Sequence, residues 1–191
     1  MPGMQKIHFT FMSNRAASRR QALRTVAGVA LMAALPLSAQ ARLALSTAIN
    51  RTARFRALSQ RMAKAYAQLF LGVLPDLARE VLTTARQLVH SGFDELDQHE
   101  WPADVAKLLA EVRTQSGRLE ALTARTPTKE LVAQVAVQSD RMMDAANAAT
   151  LALEKLAQGG TAKLVNLAGR QRMLTQRMAK NYNLQALGLD S

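Results

Sequence analysis

Residues 165–182 read VNLAGRQRMLTQRMAKNY, and residues 49–66 read INRTARFRALSQRMAKAY. At a constant offset of 116, ten of the eighteen positions are identical: Asn50/Asn166, Arg54/Arg170, Arg56/Arg172, Leu58/Leu174, Gln60/Gln176, Arg61/Arg177, Met62/Met178, Ala63/Ala179, Lys64/Lys180 and Tyr66/Tyr182. At about 100° per residue, Leu167, Leu174, Met178 and Tyr182 fall on one apolar arc of the second copy. Asn166, Gly169, Arg172, Gln176 and Lys180 collect on another arc, with Arg170 and Arg177 at its margin. The first copy repeats this with Leu58, Met62, Tyr66 and Leu69 apolar and Asn50, Arg56, Gln60 and Lys64 polar. The spacing predicts two amphipathic helices, each packing along its apolar arc and offering amide and guanidinium donors along the other.

Working outward, the first motif helix is expected from about Leu43 to Val73, ending ahead of Pro75. A shorter helix from Asp76 to about His90 is expected to break at Ser91-Gly92, leaving Phe93–Trp101 as an acidic loop. Pro102 suits the opening turn of a third helix reaching about Ala124. Thr126-Pro127-Thr128 reads as a stop and restart, with Thr126 or Thr128 as N-cap of a fourth helix, Lys129 to Leu156. Gly159-Gly160 ends it, and the second motif copy forms a fifth helix from Thr161 to about Leu187. Short connections between long amphipathic helices predict an all-α fold: an antiparallel up-down four-helix bundle with a fifth helix repeating the first.

The 191 residues have room for one domain of ordinary size. Aromatic residues are 4% of the chain and cysteine is absent, so neither a disulfide framework nor a thiolate metal site is available. Residues 1–41 hold five basic side chains and no acid, with an apolar run Val26–Leu37 and a small-x-small site at Ala39-Gln40-Ala41. This pattern is expected to be an export signal. Ser18-Arg19-Arg20-Gln21-Ala22-Leu23-Arg24 resembles a twin-arginine signal, and a Sec signal is the alternative. The expected divisions are therefore the signal at 1–41, the helical bundle at 42–157 and the second motif copy packed on it at 158–191. Export implies a periplasmic location, with an uncleaved membrane tether as the minority alternative.

The remaining charge is segregated. Residues 42–75 and 155–189 each carry six basic side chains and no acid, whereas 76–154 carries eight basic and 13 acidic residues. The basic excess thus belongs to the two motif helices. Arg presents a planar fork that matches a trigonal oxyanion and keeps its charge at any ordinary pH. Arg56 and Arg172 are expected to face each other as the ligand pair, within one chain or across a dimer. Arg54, Arg170, Arg61 and Arg177 would supply the field, and Asn50, Asn166, Gln60 and Gln176 would orient the ligand or the arginines. Gly169 removes a side chain that would otherwise keep an anion from the backbone.

The run N-L-A-G-R-Q-R-M-L-T-Q-R-M-A-K at 166–180 resembles the PilJ-type sensory domain that opens type IV pilus methyl-accepting transducers. That domain is similar to the periplasmic sensor domain of the NarX and NarQ nitrate/nitrite kinases. The resemblance is strong over 165–182, good over 49–66 and architectural between them. In the nitrate sensors, an A-G-x-x-R-M segment holds the anion where two identical helices from two subunits meet. It corresponds to Ala168, Gly169, Arg172 and Met173 here, and in the first copy to Thr52, Ala53, Arg56 and Ala57, where Gly and Met are replaced. The resemblance implies a periplasmic sensory or binding module for a small anion, nitrate or nitrite. Its signal would leave through a partner such as a membrane receptor or transporter, and a homodimer is possible.

The residues leave a second reading open, a structural or interaction protein whose duplicated helix is a docking or dimerisation surface without a small ligand. Binding to anionic lipid is a third, favoured by the acid-free basic helices. Nucleic acid is disfavoured, since the charge excess is modest once the signal is removed. No Ser–His–Asp set, catalytic carboxylate pair, phosphate-cradling loop or dinucleotide fingerprint is present, so neither an enzyme nor a cofactor is expected. His90 and His99 near Asp94, Asp97 and Glu100 read as a solvated acidic loop rather than a metal site.

Overall fold

The computed structural model describes residues 37–157 and 160–189. The chain divides into two compact units, Met1–Gln40 and Ala41–Ser191, and the site lies in the second. The export signal expected at 1–41 falls, up to residue 36, outside the described residues. Five helices follow: α1 (Leu37–Leu71), α2 (Pro75–Leu96), α3 (Ala103–Thr123), α4 (Lys129–Ala157) and α5 (Gly160–Ala186). No strand occurs among the described residues. None of the described helices is long and apolar enough to cross a membrane.

The helix ends follow local chemistry. Beyond α1, Gly72 adopts φ 69° and Leu74 φ 46°, and Pro75 then opens α2. Glycine enters the left-handed region without a Cβ penalty and proline is pre-set for a first helical turn. At α4, Thr128 Oγ1 accepts the Leu131 backbone N–H at 3.2 Å, the hydrogen bond of an N-cap.

One expected break does not occur. Helix α2 runs through Ser91-Gly92 to Leu96. Gly92 serves a close approach instead, because a Cβ there would meet Phe55 Cε1 at 2.6 Å. With that space left open, Phe93 packs its ring on Phe55, centroids 4.7 Å apart. Phe93 and Leu96 are buried, so the first turn of the stretch expected as an acidic loop is helix that packs into the core.

Polar contacts fix the neighbours around α1. Arg51 pairs with Glu95 on α2 at 2.6 Å, and Tyr66 donates to the Arg125 carbonyl just beyond α3. On α4, Arg56 meets Asn147, and Gln60 meets Ser139 and Asp140. On α5, Asn166 meets Glu154 of α4 and Lys180 meets Asp140. Helix α4 therefore runs opposite to both α1 and α5. Asn183 lies level with Lys64, since its side-chain amide donates to the Lys64 backbone carbonyl. Helices α1 and α5, the two motif copies, thus lie side by side in the same sense.

The face that α5 buries is not the one its apolar spacing predicts. Gly169, Met173, Lys180 and Leu184 are buried, whereas Leu167, Leu174, Met178 and Tyr182 are exposed. Two facts account for this. Gly169 leaves the room that Ala53 of α1 occupies, and the Lys180 ammonium is held by both oxygens of Asp140. In the first copy the matching Leu58, Met62 and Tyr66 are buried in the core as expected.

Candidate functional site: an arginine groove between the motif copies

The two copies meet at equivalent positions. A Cβ on Gly169 would lie 2.8 Å from Ala53 Cβ, and residue 53 is the counterpart of 169. From this closest point the polar arcs reach across reciprocally. Arg56 Nη2 donates to Asn166 Oδ1 at 2.9 Å, and Arg172 Nη2 donates to Asn50 Oδ1 at 3.4 Å. Each copy's arginine thus reaches the other copy's asparagine, so the helix pair has a local pseudo-twofold relation.

The two halves of that relation are finished differently. On one side α4 closes the space. Arg56 is 1% exposed, and its guanidinium also donates to Asn147 Oδ1 at 2.8 Å, to the Asn166 carbonyl and to the Ala53 carbonyl. Its acceptors are neutral amides. Burial, and then the nearby Arg170 and Arg172, hold its pKa below the ordinary arginine value, while Glu154 opposes the shift. Asp140 holds Lys180 and Gln60 on the same side, and Glu154 holds Asn166. Here the motif's polar groups are spent on structure.

The other side is open. Asn50, Arg54, Ala57, Leu58 and Arg61 of α1 and Arg172, Thr175 and Gln176 of α5 line a groove of about 470 Å³. The α1 residues follow i, i+4, i+7, i+8, i+11 spacing, so one face of the helix forms that wall. Arg54, Arg61 and Arg172 make no ion pair with any described residue. Glu95, the carboxylate that acts on Arg54, is taken by Arg51. Arg54 is shifted down by burial and by Arg51, Arg172 and Arg61, with Glu95 opposing. That like-charge crowding is what an anion relieves. Gln176 Oε1 is buried without a partner on this wall, an orphan that a bound molecule or ordered water can satisfy. Turned over, the same amide would present its Nε2 donor.

Of the residues expected at the site, the groove gathers Asn50, Arg54, Arg61, Arg172 and Gln176. Arg56, Asn166 and Gly169 lie in the closed half, as does Gln60 against Asp140. Arg170 and Arg177 are exposed and do not line the groove. Asn147, Asp140 and Glu154 finish the closed half and carry no sequence signal, because they belong to no repeat and their distance from the motif in the chain hides the contact. Ala57, Leu58 and Thr175 also line the groove and were not expected there. Among the described residues no cluster of His, Cys, Asp or Glu is placed to hold a metal.

Residues 156–191 match the family model described as type IV pili methyl-accepting chemotaxis transducer N-term, PilJ. The matched stretch takes in all of α5 and supports a PilJ-type domain there, a sensory element of chemotaxis transducers. No curated protein and no solved structure matches the chain.

Proposed function

We propose that this chain is a non-enzymatic sensory or binding module for a small trigonal anion, nitrate or nitrite, and that the anion sits in the α1–α5 groove. The observation that carries the proposal is the unequal finish of the two halves. Helix α4 brings Asp140, Glu154 and Asn147 to one half, while Arg54, Arg61 and Arg172 in the other have no carboxylate of their own. Three uncompensated guanidiniums beside Asn50 and Gln176 suit a planar oxyanion, which takes two-point contacts from a guanidinium fork.

The PilJ match at the second copy supports a sensory role. The NarX-like relation supplies the finer reading. Where those sensors pair one helix from each of two subunits, this chain pairs its two copies within an up-down antiparallel bundle. Export to the periplasm, through the signal at 1–41, places the groove where such anions enter the cell envelope. The occupied state would then be read by a partner, a membrane receptor or transporter.

Thermal unfolding of the mature chain in nitrate, nitrite and chloride tests this. A ligand at about one hundred times its Kd adds ~2.7 kcal/mol of stability, which moves the midpoint by several degrees at this chain length. Nitrate or nitrite is expected to raise the midpoint beyond chloride at equal ionic strength. Equal midpoints in all three salts overturn the proposal.

A further inference from the structure

Helix α5 has two apolar sides, and the bundle uses one. Opposite its buried side, Leu164, Leu167, Leu174 and Met178 follow the 3-4 spacing of a helix-pairing seam, with Tyr182 beside it. Met178 and Tyr182 are each 74% exposed, while their counterparts Met62 and Tyr66 are fully buried. A basic row, Lys163, Arg170 and Arg177, lies seven residues apart along one edge of this seam. All three are exposed and make no ion pair with a described residue. This edge is turned away from the anion groove, which uses Arg172, Thr175 and Gln176.

We infer that this seam is a docking surface for an acidic amphipathic helix of a partner protein. The chain itself shows how the same three motif residues are covered when they are covered. In the first copy, the core that buries Leu58, Met62 and Tyr66 includes α2 and α3, and residues 76–123 carry nine acidic and five basic side chains. The second copy presents the same apolar residues beside a basic row that carries Lys163 where the first copy has Thr47, with no acid between 160 and 189. A helix with leucine-type core positions and carboxylates on its flanks meets both features. A second copy of this chain offering the same face would bring its own Lys163, Arg170 and Arg177 to the seam, so the charges select a different, acidic partner.

Two synthetic amphipathic peptides of roughly three heptads test the inference, both with Leu at the core positions, one flanked by Glu and the other by Lys. Fluorescence anisotropy with the full chain is expected to give saturable binding of the Glu peptide, at least ~10-fold tighter than the Lys peptide at low salt. Met178→Glu and Tyr182→Glu, at exposed positions, are expected to abolish it with an unchanged melting curve. Reversing Lys163, Arg170 and Arg177 to Glu should invert the peptide preference. Excess nitrate should leave peptide binding unchanged, which separates this surface from the groove. No saturable binding, equal affinity for the two peptides, or a dimer in sedimentation that Met178→Glu dissociates would each overturn it.

Discussion

Gly169 on α5 faces Ala53 on α1, its own counterpart in the other motif copy, at a separation that leaves no room for a second methyl group. A Cβ at 169 would lie 2.8 Å from Ala53 Cβ and 2.9 Å from Arg56 Nη2. The arginine tip can shift, but the Ala53 methyl is fixed to its backbone. The helix pair is therefore set at its closest point by one missing side chain, and the reciprocal Arg–Asn contacts depend on that approach.

Gly169→Ala gains about 1 kcal/mol of helix propensity but overpacks the crossing, which costs about 1–3 kcal/mol. The net expectation is a loss of stability, read as a lower denaturant midpoint. Adding Ala53→Gly moves the methyl across the interface and should restore most of the loss. If Gly169→Ala alone stabilises the protein, the helices are not in the contact described.

Removing the buried cation should be more damaging than removing the exposed one. Arg56→Met strips the charged donor from Asn147 and Asn166, where each such hydrogen bond contributes ~1.5–3 kcal/mol. Arg172→Met removes a single long bond at the surface and should lie within about 0.5 kcal/mol of wild type. Urea unfolding of both variants checks the contrast, and equal losses would contradict it.

The five helices, and the duplicated motif that pairs two of them, were legible because Ala- and Leu-rich segments with 3.6-residue periodicity have few alternatives. The break at Ser91-Gly92 was misread because glycine signals both a helix end and a close approach, and only the position of Phe55 decides which. The orientation of α5 was hidden for a related reason. Its sequence holds an apolar stripe and a polar stripe, and periodicity cannot tell that Asp140 waits for Lys180 while nothing in the described chain covers Met178. Of the six arginines expected at the site, Arg54, Arg61 and Arg172 line the groove, Arg56 lies in the closed half, and Arg170 and Arg177 lie outside it. Their division into a closed half and an open half was not legible, because it depends on Asn147, Asp140 and Glu154 of α4.

The two tyrosines of the motif should respond differently to substitution and to pH. Tyr66 is buried and donates to the Arg125 carbonyl at 3.1 Å, so Tyr66→Phe should cost about 1 kcal/mol near neutral pH. Burial holds its phenol above the usual 10.0, because the phenolate is disfavoured there. Its contribution is complete below pH 10.0 and declines as the pH rises toward the folded value, since the unfolded chain ionises first. The gap between wild type and Tyr66→Phe should therefore narrow in alkaline solution. Tyr182→Phe, at its exposed counterpart, should be neutral throughout. A gap that is constant or widens with pH would contradict the assignment.

Isothermal titration of nitrate into the protein, beside Arg54→Ala and Arg172→Ala, addresses the groove most directly. Saturable heat is expected for the wild type. Each variant should bind at least ~10-fold more weakly, the equivalent of about 1.4 kcal/mol, while Arg170→Ala, outside the groove, should bind as the wild type does. No saturable heat from the wild type with nitrate or nitrite, or equal affinity in all four proteins, would contradict an anion site between the two motif helices.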